Sequence, residues 1–425
     1  MHHFEYKDGE LCAEDVSLTR LAEEVGTPFY VYSHETLTRH FRVFDEAFAS
    51  VPHLICFAMK SNSNLAILRL FGAMGGGLDI VSGGELFRAV KARMPLDRVV
   101  FAGVGKSDEE IAYALEMGVL LFNVESEEEL VNIGSVASRV GKQAQVAIRV
   151  NPDVDPQTHP YITTGLKKSK FGIDINRARE QYRTAAKLDG VEPSGVHCHI
   201  GSQITTSSPF ADSVEIVARL VRELRGDGHD IRYLNLGGGL GITYHDEAPP
   251  LPKDYAAAIL PKLEDLGCTL IFEPGRVITG NAGVLVTRVL YEKENPEKRF
   301  VIIDAGMNDL IRPSLYQAFQ DVWPVEEAAR SRTKHITDLV GPVCESGDYL
   351  AKDRDLPELH RDDLVAVMSS GAYGFTMASN YNSRPRPPEI LVRGDEYHII
   401  RERETYDDLV RGEHIPAFIE ERRIP

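Results

Sequence analysis

Residues able to do chemistry recur where runs of apolar, β-branched residues stop. HLICFAMKS (53–61) ends on Lys60, and GLDIVSG (77–83) carries Asp79. SGVHCHIGSQ (194–203) carries His197, His199 and Ser202. IRYLNLGGGLGI (231–242) contains Gly237, Gly238 and Gly239, and TLIFEPGR (269–276) supplies Glu273, Gly275 and Arg276.

An ammonium at the end of an apolar strand is costly to desolvate without a partner or a reaction. Lys60 is therefore either a lysine snorkelling to a rim or a Schiff-base lysine whose amine condenses with an aldehyde cofactor. The glycine triplet is either a tight turn or a backbone cradle whose N–H groups approach a phosphate. Glu273 is either half of a structural pair with Arg276 or the partner of a protonated pyridine nitrogen, which makes that ring an electron sink. His197 and His199, two apart on a strand, share a face. A metal-dependent hydrolase would need further ligands at other strand ends. His34, His53, His159, His229 and His245 lie off those ends, so no metal site is expected. One ring of the pair is better used stacked on a flat cofactor, with Cys198 packing behind.

The elements that position these groups form a pattern. Further strand-like runs read VVFAGVG (99–105), LLFNVES (120–126) and QVAIRVNP (145–152), making eight with those above. Helical stretches separate them; Ser107–Met117 and Ser126–Val140 open on serine followed by acidic residues, a helix-start pattern. Eight alternating β/α units predict a closed parallel barrel. A doubly wound sheet would place its glycine-rich loop after the first strand, not the seventh. In a barrel the active site lies at the C-terminal strand ends, where Lys60, Asp79, His199, Gly237–Gly239 and Glu273 all fall. After Arg276 the texture becomes mainly strand-like, and FYVYS (29–33) adds a strand before the barrel. The division expected is a barrel over 35–281 and a second, mainly β domain built from 1–34 and 282–425.

With 425 residues, two domains are expected. A formal net charge of −17 disfavours nucleic acid and anionic membranes as partners. No stretch is apolar enough to span a bilayer, and the start lacks the pattern of a secretory signal. The five cysteines are scattered and lack CxxC spacing, which fits a reduced cytoplasmic protein.

FAMKSN, HCHIGSQ, GGGLG and EPGR together resemble the alanine-racemase-like (fold type III) pyridoxal-phosphate decarboxylases. RPSLYQA, GPVCESGD and GAYGFTMASNYNSRPRPPEILV narrow the resemblance to the diaminopimelate decarboxylase family, across nearly the whole chain and with no departure at a position that carries chemistry. The resemblance implies pyridoxal 5'-phosphate as cofactor and decarboxylation of meso-diaminopimelate, an amino acid, to lysine, the last step of lysine biosynthesis. It implies that Lys60 carries the cofactor, His199 stacks on its ring and Glu273 meets its nitrogen. Asp79, Ser202, Gly237 to Gly239, Gly275, Arg276 and Tyr373 would complete the cofactor site. Arg276 and Arg312, with Tyr316 and Tyr373, would bind substrate. Cys344 would reprotonate the α-carbon and Glu345 would face the distal ammonium. It further implies a symmetric homodimer in which Cys344 and Glu345 reach the partner's barrel, so that each site is shared. Alternatives are a relative of the same fold acting on ornithine, arginine or carboxynorspermidine, and a catalytically silent regulator. Diaminopimelate is lysine with a second carboxylate, so its distal end calls for both a cation and an anion, which Arg312 and Glu345 supply.

Overall fold

The computed structural model describes residues 2–155 and 170–420, and His159 lies outside the described residues. All eight apolar runs form strands: His53–Ala58, Gly77–Ile80, Val99–Phe101, Leu121–Val124, Ala144–Asn151, Val191–His197, Tyr233–Asn235 and Thr269–Phe272. Each pairs in parallel with the next, and the eighth returns to the first with Leu270 opposite His53, so the barrel closes.

Side-chain alternation sorts these strands into two faces. Cys56, Val100, Leu121, Ala147 and Ile271 meet as a small apolar layer inside the barrel. Their neighbours, among them Phe57, Phe101, Phe122, Val146 and Phe272, join the larger core beneath the helices. Two residues beyond Leu121, Ala147 and Ile271, the inward direction yields Asn123, Arg149 and Glu273, all buried. The interior is thus apolar in the middle and polar toward the C-terminal strand ends.

Local signals set the helices. Ser107 and Ser126 cap Asp108–Met117 and Glu127–Arg139 by accepting from the Glu110 and Glu129 N–H groups, and Ser107 completes a capping box with Glu110.

The second domain is built on a mixed sheet. Its spatial order runs Tyr349–Pro357, Lys334–Val340, Arg299–Ile303, Gly283–Glu294, Phe29–Ser33, Glu389–Arg393, Glu396–Arg401. The N-terminal strand Phe29–Ser33 therefore lies in the middle, antiparallel to Gly283–Glu294 and parallel to Glu389–Arg393. Ahead of it, Phe4–Lys7, Glu10–Ala13 and Val16–Ser17 form a separate three-stranded sheet, followed by the helix Leu18–Val25. No helix among the described residues is long and apolar enough to cross a membrane.

Candidate active site

Lys60 sits in a short 3-10 turn, Met59–Ser61, directly after barrel strand one. Its Nζ is 2.6 Å from Asp79 Oδ2, on strand two. The chain between them folds back through the helix Leu65–Ala73, capped by Asn64, which sets strand two beside strand one. Burial pulls the Lys60 ammonium down, but Asp79 and Glu273 outweigh it and hold the pKa above its ordinary value. Asp79 is fully buried, and burial together with Glu273 pushes its pKa up to about 7 against the pull of Lys60.

Glu273 lies at the floor of the same space. Asn123 and Asn235 each donate to its Oε1, at 3.0 and 2.7 Å, and His197 Nε2 lies 3.6 Å from Oε2. Burial raises its pKa, yet His197 and Lys60 more than offset that, so Glu273 stays ionised below the usual carboxylate range. Arg276 bonds instead to Tyr244 (2.7 Å) and Ser202 (3.1 Å), so the Glu273–Arg276 pair considered from sequence is not formed.

The two histidines divide. His197 is buried beside Glu273, whereas His199 lines the open cleft. Burial, with Arg149 and Lys60 nearby, holds His199 well below the ordinary histidine pKa, so its ring is neutral. Its Nδ1 accepts from the Gly238 N–H at 3.2 Å. The Gly237 N–H is bonded to Asn235 Oδ1 at 2.9 Å. A Cβ on Gly238 would lie 2.2 Å from Glu273 O, and one on Gly239 2.5 Å from Gly201 O. The triplet thus lets three strand ends touch, and the Gly239 N–H finds no acceptor among the described residues.

The second domain closes the cleft, whose volume is about 300 Å³. Arg312, opening the helix Arg312–Tyr316, is buried with its guanidinium over the Tyr244 ring at 4.5 Å. Burial lowers its pKa, as does Arg276, although Tyr244 opposes them. Tyr373 takes a left-handed backbone (φ 56°) and stacks on Arg276 at 4.8 Å. Tyr316 lines the same cleft.

A family model described as the pyridoxal binding domain of pyridoxal-dependent decarboxylases matches residues 34–280. A diaminopimelate decarboxylase from Pseudomonas aeruginosa is 53% identical, covering 98% of this chain and 99% of its own. The chain belongs to the diaminopimelate decarboxylase family. Two solved diaminopimelate decarboxylases, both complexed with L-lysine, superpose closely. That from Helicobacter pylori has a TM-score of 0.89 at 45% identity, covering 92% of this chain and 98% of its own. That from M. jannaschii has a TM-score of 0.93 at 40% identity, covering 98% and 100%.

The unsatisfied groups of the cleft suit the cofactor of a pyridoxal-dependent decarboxylase. Asp79 Oδ1 and Arg276 Nε are buried without a partner. Arg276 Nε and the Gly239 N–H are donors left for a phosphate, Asp79 Oδ1 is an acceptor left beside Lys60, and Glu273 offers an ionised acceptor at the floor. The residues present fit pyridoxal phosphate. Among the described residues no group of three or more His, Cys, Asp or Glu could hold a metal ion.

Two residues expected in a diaminopimelate decarboxylase site stand apart. Cys344 and Glu345 are exposed, outside this cleft. Their loop is nonetheless fixed: the Cys344 N–H donates to Asn382 Oδ1 (2.8 Å) and Asp348 accepts from the Val343 N–H (2.6 Å). Conversely, Asn123, Asn235, Arg149 and Tyr244 belong to the site but escape a motif reading. The first three could have been found as polar residues at inward parity in apolar strands; Tyr244, on a loop, carries no such mark.

Proposed function

We propose that the chain decarboxylates meso-diaminopimelate to L-lysine and carbon dioxide with pyridoxal phosphate, as a cytoplasmic homodimer with shared sites. The observation that carries this is the pair of buried guanidiniums, Arg276 and Arg312, beside a lysine–carboxylate–glutamate floor. The working units are the barrel, 35–281, and the β domain, 1–34 with 282–425.

The bound cofactor supplies an electron sink for the bond to the departing carboxylate. Lys60 would hold it covalently, with His199 against its ring and Asp79 beside the lysine. Ser202, Gly237 to Gly239, Gly275, Arg276 and Tyr373 would surround its phosphate. Glu273, kept ionised by His197 and two asparagines, would retain the proton on the pyridine nitrogen.

Arg312, with Tyr316, is assigned to the distal carboxylate, and Glu345 of the partner subunit to the distal ammonium. Cys344 of the partner subunit would deliver the proton to the α-carbon. A site built for the distal carboxylate rejects lysine-like substrates, because an unmatched buried arginine can discriminate by on the order of 10⁴-fold. The exposed, hydrogen-bonded Cys344 loop supports the shared-site reading, and five free cysteines fit a reducing compartment.

The test is lysine and carbon dioxide release from meso-diaminopimelate, with L-lysine, L-ornithine and L-arginine in parallel. Turnover of meso-diaminopimelate alone is expected; turnover of another amino acid in its place would overturn the assignment of Arg312.

A further inference from the structure

Arg276 and Arg312 are two like charges buried in one cleft, and neither has a carboxylate partner among the described residues. What stands between them is Tyr244. Its hydroxyl accepts from Arg276 Nη1 at 2.7 Å, and its ring face carries the Arg312 guanidinium at 4.5 Å. The tyrosine is itself buried and held from behind. Glu247 Oε2 accepts from the Tyr244 and His245 N–H groups at 2.9 and 2.7 Å, and His245 stacks on Phe319 at 4.1 Å. The loop after barrel strand seven is thereby pinned to the segment of the second domain that bears Arg312.

We infer that Tyr244 is a specificity-determining positioning residue that aims Arg312 at the distal carboxylate of the substrate through its ring face. This rests on the assignment of Arg312 made above. A guanidinium on an aromatic face spends no N–H on a protein carboxylate; Arg312 Nη1 donates to the Gln320 side-chain oxygen at 2.8 Å, and its buried Nε has no partner and is left for an anion. The hydroxyl end keeps Arg276 from swinging toward Arg312, so the two cations hold separate anions.

The test uses the holoenzyme and ligands with and without the distal carboxylate. In Tyr244→Leu, KM for meso-diaminopimelate is expected to rise on the order of ten-fold. The inhibition constant of L-lysine, which lacks that carboxylate, should rise less than about three-fold. Tyr244→Phe keeps the ring and should recover most of the lost affinity, which also guards against a misfolded leucine variant. In an Arg312→Ala background Tyr244→Leu should add little, because the two act as one unit. Equal weakening of both ligands, or full additivity with Arg312→Ala, would overturn the role of Tyr244. If Arg312→Ala alone leaves KM unmoved, the carboxylate assignment fails first, and Tyr244 has nothing to aim.

Discussion

Asn235 serves Glu273 and the glycine turn at once: its Nδ2 donates to Glu273 Oε1 at 2.7 Å while its Oδ1 accepts from the Gly237 N–H at 2.9 Å. Replacing it by aspartate would set a second carboxylate against Glu273 and raise the pKa of Glu273 from its depressed value. With Glu273 in its proposed role at the pyridine nitrogen, turnover requires its ionised form, and the acid limb of the kcat/KM profile should move to higher pH in Asn235→Asp. An unmoved limb would mean that Glu273 does not set it.

Asp79 opposes burial at Lys60, and with Glu273 leaves the amine more basic than usual. Only the neutral amine can attack an aldehyde, so Asp79 delays cofactor capture until higher pH. In Asp79→Asn burial acts with less opposition, and the amine should deprotonate earlier. The pH midpoint for growth of the visible cofactor band in the apo-protein should shift downward. An upward shift would reverse the assigned role of the pair.

The proposed sharing of sites between two subunits is open to a complementation test. Lys60→Ala should lose both turnover and the visible band; Cys344→Ala should keep the band and lose turnover. After equal mixing and subunit exchange, half the dimers carry one variant of each kind, and each of these has one intact site. Recovery of about a quarter of the original activity is expected from that symmetry. A mixture as inactive as its components would place Lys60 and Cys344 in the same subunit's site.

Gly238 is packed where a side chain has no room, since a Cβ would sit 2.2 Å from the carbonyl of Glu273. Gly238→Ala must separate strands seven and eight at their ends. A Tm lower by at least about 5 °C is expected, with weaker cofactor retention. Gly226 has no heavy atom near its would-be Cβ, and Gly226→Ala is the control that should show no such loss.

The barrel was legible because buried parallel strands are short, apolar and β-branched, and serine caps mark the helices between them. Lys60, Glu273 and His199 were legible because each interrupts or ends such a run. The small N-terminal sheet was not, since Glu10–Ala13 and Val16–Ser17 are too short to show a period. Within the mainly β region, Lys334–Val340 and Tyr349–Pro357 carry a weak individual signal: KHITDLV and YLAKDRDLP expose charged residues, which hides the alternation. Tyr244 was invisible because its significance comes from two arginines distant in sequence.

Phe29–Ser33 lies between Gly283–Glu294 and Glu389–Arg393, so the barrel is an insertion within the sheet that receives it. During synthesis that first strand must wait for some two hundred and fifty residues before its nearer neighbour emerges. The barrel, whose strands pair in order, can form meanwhile. The chain leaves and re-enters the sheet at adjacent points, Tyr32 opposite Gly283. Beyond this paired neck the halves are tied again beside the cleft, where the Tyr373 N–H donates to Ser61 O at 2.8 Å and Asn64 Nδ2 donates to Glu389 Oε2 at 2.9 Å. Arg312 of the sheet half is thereby kept facing Lys60 and Arg276 of the barrel half across one cleft.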